Sequence, residues 1–389
     1  MRKVDRFIGI PLCWLTGLWL SLFSKRRPIK HTEEWNTILV IKFFGMGSLL
    51  LSTPFLSALR RHAPKSKIIY LTFSSNKQLL DKLAQPNVKL EIRTSSIGAF
   101  MVDTFEIIRT LRKMSIDVVF DLEFFSKYST LVSSLSGAAL RVGYELPTHW
   151  RRWNLTHPIA LDHKAHVTSV FLRQLTAFNV NAPSAIEIDR IEASPDEITS
   201  MERKLQLGSN GVEIICVNIN AGPTSLQRRW EPRRFAEVLL QMLVENRTRR
   251  FHLIGNSEER EYVQKFLDVN PRLADSAINC AGLLTIGELI ALLRRCSLLL
   301  TNDSGPMHIA TSTGTPVVAL FGPESPHLYG PLGNARVAYK GISCSPCLNI
   351  YNAKLFVCPY NARCMKEIST NEVVTAARSL LPVPQPAHV

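Results

Sequence analysis

A polar turn between two apolar runs is the part of this sequence best suited to bind an anion. Residues 297–300 and 317–321 are apolar and predict two buried strands. Between them, residues 302–305 (Asn-Asp-Ser-Gly) predict a tight turn, and Pro306 opens a short helix with Ser304 at its N-cap. Because N–H groups and the positive end of the helix dipole meet at such a turn, it favours phosphate. The alternative is a well-capped crossover that binds no ligand.

Length and charge set the scale of the protein and its classes of partner. The chain has 389 residues, which suggests two domains, and its 46% hydrophobic and 20% charged residues indicate a globular protein. A net charge of +14 is compatible with nucleic acid, an anionic membrane surface or a phosphorylated substrate. Since no zinc-finger spacing, RNA-binding sheet signature or basic heptad helix is found, we expect no nucleic-acid partner.

The N-terminal segment has the composition of a membrane-associating helix. Residues 7–23 carry no charge, and basic residues stand on both sides, at Arg2, Lys3, Arg6, Lys25, Arg26 and Arg27. Seventeen residues is about the lower limit for a transmembrane span. We therefore expect a segment that lies in the cytoplasmic leaflet, with Trp14 and Trp19 at the interface and the bases on anionic lipid. The alternatives are a helix packed on the protein itself and a true span.

Strands and helices alternate twice along the chain, which predicts an α/β protein with two doubly wound parallel sheets. The first alternation begins at residues 37–41 and the second at residues 214–219, each followed by a glycine-containing loop and a helix. The expected division is a membrane segment and linker (1–35), an N-terminal domain (36–185), a junction (186–211), a C-terminal domain (212–342) and a cysteine-containing extension (343–389).

Three motifs together resemble one enzyme family. They are LVIKFFGMGSLLLSTPFLSALRR at residues 39–61, RRW at 228–230 after an Asn-x-Asn-Ala-Gly loop, and TNDSGPMHIATSTGTPVVALFGP at 301–323. The combination is similar to glycosyltransferase family nine, the ADP-heptose:lipopolysaccharide heptosyltransferases. The resemblance implies the GT-B architecture, two Rossmann-like domains facing a cleft. It also implies inverting transfer of a sugar from a nucleotide-diphosphate donor, in this family an ADP-sugar, to a lipopolysaccharide-type or lipid-linked glycan, with no metal or cofactor required.

The resemblance places the donor in the C-terminal domain. The amides of Ser304 and Gly305, with a cation from Arg228 or Arg229, would stabilise the leaving diphosphate. Asp303 is expected to shape the loop by an Asx-type bond, and His308 matches a donor-site histidine, although a packed histidine is the alternative. Thr224 and Ser225 match positions where family members offer hydroxyls to phosphate, and Glu258 is placed to bond the ribose. The full donor-site set is Thr224, Ser225, Arg228, Arg229, Glu258, Asp303, Ser304, Gly305 and His308.

The N-terminal loop departs from the family at the expected general base. Family members usually carry Asp after the second glycine of a loop that here contains Lys42, Gly45 and Gly47, and this chain has Ser48. A serine cannot accept a proton unaided at neutral pH. Either a carboxylate after the strand at 118–120 replaces it, with Glu123 preferred to Asp121, or the protein is a non-catalytic nucleotide-sugar or glycan-binding protein. A sugar-nucleotide epimerase-like activity is a weaker alternative.

Eight cysteines form two groups. Cys13, Cys216, Cys280 and Cys296 are scattered through apolar segments, as reduced buried thiols are. Cys344, Cys347, Cys358 and Cys364 cluster near the C-terminus and are numerous enough to hold one zinc ion, but the second pair lacks the usual spacing. Thiols without metal, free or redox-linked, are the preferred interpretation.

Overall fold

A computed structural model describes most of the chain and divides it into two compact units. The described residues are 9–23, 35–146, 150–180, 183, 186–207, 212–222, 226–348 and 357–381. The first unit ends at Asp189 and the second begins at Arg190. Each unit contains one parallel sheet of six strands, which confirms the predicted α/β fold class and its two doubly wound sheets.

The first unit is built on a sheet with the strand order β3-β2-β1-β4-β5-β6. Its strands are β1 (Thr37–Ile41), β2 (Lys67–Phe73), β3 (Val88–Ile92), β4 (Val118–Asp121), β5 (Leu140–Glu145) and β6 (His157–Ala160). Its helices are α1 (Gly9–Phe23), α2 (Met46–Leu51), α3 (Thr53–His62), α4 (Lys77–Leu80), α5 (Ile97–Lys113), α6 (Lys127–Leu135) and α7 (Val167–Leu172). Short 3-10 turns cover Ser74–Asn76, Arg152–Asn154 and Arg173–Phe178.

The second unit repeats this plan with the strand order β12-β11-β10-β7-β8-β9. Its strands are β7 (Ile214–Asn218), β8 (Arg250–Leu253), β9 (Ala277–Asn279), β10 (Leu298–Asn302), β11 (Val317–Phe321) and β12 (Ala335–Tyr339). Its helices are α8 (Pro195–Leu205), α9 (Pro232–Glu245), α10 (Arg260–Asp268), α11 (Ile286–Arg295), α12 (Gly305–Thr313), α13 (Pro326–Tyr329), α14 (Arg363–Lys366) and α15 (Thr370–Leu380). Further 3-10 turns cover Leu226–Arg228, Ser257–Glu259 and Pro271–Leu273.

Burial explains why the central strands form where the sequence predicts them. Every residue of β1, β4, β7, β10 and β11 is buried, as expected for β-branched and leucine-rich runs covered by helices on both faces. The edge strands β3 and β12 are mostly half-buried or exposed, and their mixed polar and apolar residues form no continuous apolar run. Polar residues on these edge strands discourage pairing with another chain. They also interrupt the apolar run by which a strand is recognised in a sequence.

The N-terminal helix α1 packs on the first unit through one narrow face. Cys13 is fully buried, and Gly17 approaches so closely that an added Cβ would lie 2.9 Å from the Cβ of Trp153. Asn154 Nδ2 donates to Thr16 Oγ1 at 3.0 Å. The packed-helix alternative is therefore correct for this face, while the other faces of α1 remain exposed. Within the described ranges, no helix has the length and hydrophobicity needed to cross a bilayer.

A fully buried ion pair closes the carboxyl end of β4. Arg151 Nη2 donates to Asp121 Oδ2 at 2.5 Å, and neither side chain has solvent exposure. Arg151 Nη1 also donates to the carbonyl oxygens of Glu123 and Phe124, at 2.9 and 3.1 Å. One guanidinium thus holds both the end of β4 and the loop that follows it. Burial raises the pKa of Asp121 to about 6, although the charge of Arg151 opposes this rise.

We expect Arg151→Met to destabilise the protein by about 3–5 kcal/mol, because it leaves the buried Asp121 carboxyl without its charge partner. Arg152→Met is the matched control, since Arg152 is about half exposed and contacts Glu145 at 3.5 Å, and exposed pairs contribute about 1 kcal/mol or less. Urea unfolding of the full chain measures both. Equal losses for the two variants would contradict a structural role for the buried pair.

Candidate functional site

Two asparagine side chains organise the carboxyl edge of the second sheet. The chain leaves β7 toward β8 and returns to β10 on the opposite side of β7, so the crossovers part between β7 and β10. Ligands of open α/β sheets bind at such a switch point. Asn218, at the end of β7, donates to Ser304 Oγ at 2.7 Å and to Thr301 Oγ1 at 3.1 Å. Asn302 lies at the end of β10. Its side chain donates to the carbonyl of Ile219 at 3.0 Å and accepts from the backbone N–H of Trp230 at 3.0 Å.

The turn before α12 presents backbone amides at this edge. Ser304 occupies the N-cap position, but its hydroxyl makes no capping bond, contrary to the sequence prediction. It accepts from Asn218 and donates to the carbonyl of Asn302 at 3.1 Å. Because Pro306 has no N–H and the Met307 N–H donates to the Ser304 carbonyl, the turn can offer the amides of Ser304 and Gly305 to an anion.

A charged cluster lies beside the turn. Arg228 Nη1 donates to Asp303 Oδ2 at 3.1 Å, and Nη2 donates to the Ala221 carbonyl at 2.8 Å. The Asp303 carboxylate therefore joins two loops as an ion-pair partner, and the predicted Asx-type bond is wrong. Burial raises the pKa of Asp303, and the charge of Arg228 opposes the rise.

Glu324, after the carboxyl end of β11, is the second carboxyl group of this cluster. Burial and the charge of Asp303 raise the pKa of Glu324 to about 8, against the effects of the Ser325 N–H and Arg228. Glu324 is therefore largely protonated at neutral pH. The cluster then holds one cation, one carboxylate and one neutral acid, so its net charge is close to zero.

The remaining donor-site predictions fall into three groups. Arg229 stacks on Tyr262, with 4.2 Å from the guanidinium carbon to the ring centroid, and His308 is buried one turn into α12. Glu258 is exposed in the 3-10 turn after β8, whereas Glu259 bonds the Asn256 N–H in a capping box. Thr224 and Ser225 lie outside the described residues. The ligand contacts of all of these residues stay predictions.

The first sheet has its own switch point, between β1 and β4, and Glu123 lies there. Glu123 Oε1 accepts from the Phe43 and Phe44 N–H groups, at 2.8 and 2.9 Å, and from Lys42 Nζ at 2.7 Å. Lys42 Nζ also donates to the Phe44 carbonyl at 2.6 Å. Glu123 therefore clamps the loop that follows β1, and no hydrogen bond joins its Oε2 to another described residue.

The glycine loop itself is shorter than predicted. Helix α2 begins at Met46, so Gly47 and Ser48 belong to its first turn. Gly45 has φ +86°, a conformation that favours glycine, and an added Cβ there would lie 2.9 Å from Ser48 Oγ. Ser48 is half-buried beside it.

The two candidate carboxylates have different environments. Asp121 is fully enclosed by Arg151, by Ser129 Oγ at 2.8 Å and by the Glu123 N–H at 3.0 Å. This geometry disfavours Asp121 as a general base, because its carboxylate has no exposed surface to meet an acceptor hydroxyl. Glu123 is 6% exposed, and it remains the preferred candidate.

The C-terminal cysteines lie near one another in the second unit. Burial raises the pKa of the Cys364 thiol to about 11, and the neighbouring thiols of Cys347, Cys358 and Cys344 add to the rise. No disulfide links any of the eight cysteines, all of which belong to the described residues. Over those same residues, no three or more His, Cys, Asp or Glu side chains are arranged to hold a metal ion. A metal on this set is the less favoured alternative to free or redox-linked thiols, and no such arrangement occurs among the described residues.

Two residues of the second site were not singled out from the sequence. Asn218 enters the sequence pattern only as the first residue of the Asn-x-Asn-Ala-Gly loop, and Glu324 lies just beyond the motif at residues 301–323. Asn218 directly follows the apolar run at residues 214–217, and Glu324 lies three residues after the run at 317–321. A polar residue at or soon after a strand's carboxyl end is therefore the signal that could have found them. The bonds of Arg228 could not be found in this way, since they depend on a loop from another part of the unit.

We expect Glu324→Gln to change the pH dependence of stability. The pKa of Glu324 is higher in the folded state than its ordinary value of 4.5, so the native protein binds this proton more tightly and loses stability as pH rises from about 4.5 to about 8. At about 1.4 kcal/mol per pKa unit, the loss is at most about 5 kcal/mol. Glutamine removes it, so the variant is more stable than the wild type at about pH 9.

Urea unfolding between about pH 5 and 9 measures this effect. Glu258→Gln, at an exposed glutamate in the same unit, is the control and keeps the wild-type pH profile. If Glu324→Gln and the wild type lose stability in parallel over this range, Glu324 is not held in its protonated form.

Comparison with known proteins agrees with the two-sheet fold. Glycosyltransferase family 9 (heptosyltransferase) matches residues 104–355. The chain is 24% identical over 314 residues to lipopolysaccharide heptosyltransferase 2 of Escherichia coli (strain K12), covering 77% of this chain and 87% of the relative. It is 30% identical over 158 residues to lipopolysaccharide heptosyltransferase 2 of Salmonella typhimurium, covering 40% of this chain and 44% of that protein.

Solved structures show the same fold. A glycosyl transferase family 9 structure from Veillonella parvula matches with a TM-score of 0.74 and 24% identity, over 90% of this chain and 98% of that one. The structure of E. coli ADP-heptose lps heptosyltransferase II matches with a TM-score of 0.70 and 21% identity, over 88% and 98%. These relatives support an enzyme and give no support to a non-catalytic binding protein. The chain belongs to glycosyltransferase family 9, the heptosyltransferase family, and is a glycosyltransferase.

Proposed function

We propose that this glycosyltransferase moves heptose from ADP-heptose, with inversion, to a lipopolysaccharide-type or lipid-linked envelope glycan at the cytoplasmic face of the inner membrane. The observation that carries the proposal is the turn at the switch point of the second sheet, where Asn218 bonds the Ser304 hydroxyl, Asn302 bonds the loop after β7, and the amides of Ser304 and Gly305 lie at the N-terminus of α12. A relative of known structure is named as an ADP-heptose enzyme, and curated relatives are named as lipopolysaccharide heptosyltransferases.

The second unit would stabilise the leaving diphosphate without a metal. Negative charge grows on the diphosphate as the bond to the sugar breaks, and donors fixed beforehand lower the barrier of this step. The Ser304 and Gly305 amides and the Arg228 guanidinium supply such donors. The Arg228–Asp303 pair is neutral as a whole, and a protonated Glu324 adds a hydrogen-bond donor instead of a repelling charge.

The first unit would activate the acceptor through Glu123. As the acceptor hydroxyl oxygen bonds to the anomeric carbon and ADP leaves, its proton must pass to a base. The Glu123 carboxylate can take that proton on Oε2, while Oε1 stays bonded to Lys42 and the two loop amides. Lys42 would keep the carboxylate oriented, and Ser48, at the family's usual Asp position, would contribute only a hydrogen bond.

The donor assignment predicts nucleotide selectivity. As the assigned donor, ADP-heptose should bind the native state more tightly than UDP- or GDP-sugars do. A ligand that binds only the native state stabilises it by mass action, so at equal concentration ADP-heptose should raise the melting temperature of the full chain the most. Gly305→Pro is the test variant, since it removes one of the two amides and leaves the side chains in place. No shift with any nucleotide sugar, or an equal shift in the variant, would contradict the proposed diphosphate site.

The base assignment predicts a rate effect. Glu123→Gln keeps an oxygen for the Phe43 and Phe44 amides but removes the proton acceptor, so kcat should fall by about 10²–10⁴-fold while KM for the donor changes little. Glu187→Gln, at an exposed glutamate of the same unit, is the control. Heptose transfer is measured as ADP release across a pH series.

A positioning role for Glu123 predicts a different result. In that case the variant would lose thermal stability and donor affinity together, and the acid side of its pH–rate profile would match the wild type. That outcome would contradict Glu123 as the base.

A further inference from the structure

We propose that α1 and α5 together form a docking surface for an anionic lipid bilayer on one face of the first sheet. This inference rests on the proposed function, because a lipid-linked acceptor is presented at a bilayer. It goes further by identifying the surface and by adding α5, which the sequence analysis did not connect with membranes.

The first part of the surface is the outer side of α1. Residues spaced to face the protein are buried, whereas the large apolar residues between them are exposed, at Leu12, Leu15, Leu18, Trp19 and Leu22. Leu15 and Leu22 are 63% and 67% exposed. Trp153, 53% exposed, extends the patch, and its ring lies 4.9 Å from that of Trp14. An apolar helix surface with exposed tryptophans is typical of proteins that lie in the membrane interface.

The second part is a stripe on α5. Ile97, Met101, Val102 and Phe105 are 79%, 65%, 52% and 69% exposed, and they cover the first turns of the helix. The opposite side of α5 is anchored in the core through Ile107 and Leu111. Such a stripe of large apolar side chains is unusual on a surface that faces only water.

Sheet topology places both parts on the same side. The chain moves in one direction across the sheet from β3 to β4 and from β4 to β5, so right-handed crossovers put α5 and α6 on the same face. Helix α6 contacts α5, and it also contacts α1. The two apolar patches therefore flank α6 on one face of the first unit.

Charge selects an anionic bilayer as the occupant. In the sequence, the stretches directly before and after α1 (residues 1–8 and 24–31) carry the bases Arg2, Lys3, Arg6, Lys25, Arg26, Arg27 and Lys30 against a single acid, Asp5. On α5 the apolar stripe is followed by exposed Arg109, Arg112 and Lys113, with Glu106 as the exposed acid among them. Apolar side chains beside an excess of basic residues match acyl chains beneath anionic headgroups.

Vesicle binding by the full chain tests the surface without using the transfer reaction. The vesicles are phosphatidylcholine alone and phosphatidylcholine mixed with phosphatidylglycerol, separated by flotation. One variant changes α1 (Leu15→Ser with Leu22→Ser) and another changes α5 (Ile97→Ser with Phe105→Ser). The control is Val244→Ser with Val269→Ser, two valines of the second unit that are 81% and 76% exposed.

We expect binding to the mixed vesicles, weaker binding to phosphatidylcholine alone, and a loss of roughly tenfold or more in each of the two helix variants. The control should bind as the wild type does. All four proteins should share one melting temperature and one shift with ADP, since every changed side chain is exposed and none belongs to the donor site.

Three results would overturn the proposal. Unchanged vesicle binding in both helix variants would remove the surface. Loss in the α1 variant alone would remove α5 from it. A change of solution mass in the helix variants without lipid, with vesicle binding unchanged, would assign the surface to a second protein chain. A failure of the ADP shift would count against the donor site and leave the vesicle result readable.

Discussion

The polar groups at the two switch points are the constraint on which the candidate sites depend. Where crossovers part on opposite faces of a parallel sheet, the ends of two central strands meet with no helix above them, and their backbone groups must find other partners. In the second sheet the side chains of Asn218 and Asn302 fill this need, by accepting from the Asn220 N–H and by donating to the Ile219 carbonyl. In the first sheet Glu123 does so, by accepting from the amides of the loop after β1. The bonds that satisfy the strand ends also shape the loops that would meet substrate.

Charge balance differs between the two sites in a way that suits different tasks. In the second unit Arg228 faces two carboxyl groups, and burial keeps one of them protonated, so a diphosphate meets little net negative charge. In the first unit Glu123 pairs with a cation, Lys42, at 2.7 Å, and this contact holds the carboxylate in one orientation. The buried Arg151 holds the loop after β4, because its guanidinium donates to the carbonyl oxygens of Glu123 and Phe124. In the proposed function, donor binding and proton transfer would therefore depend on separate ion pairs.

The first unit leaves apolar surface uncovered on α1 and α5, two helices that both contact α6. Helix α1 buries only the side that carries Cys13, Gly17 and Leu20, and α5 leaves its first turns bare. Helix α15, by contrast, has Val373, Val374 and Ala377 in the core of the second unit. Exposing apolar area to water is unfavourable. Its presence on two helices of one face therefore agrees with a surface that binds a lipid bilayer.

The sequence by itself determined the fold class, the central strands and the polar turn before α12, because these depend on local patterns: continuous apolar runs, glycine turns and a proline at a helix start. It did not reveal the edge strands β3, β6, β9 and β12, whose half-exposed residues carry no such pattern. Only the tertiary structure decided the partners of Arg228, the protonated state of Glu324 and the enclosure of Asp121. Each of these depends on burial and on charges brought together from distant parts of the chain. The spacing of residues in the sequence does not tell which distant side chains will be in contact.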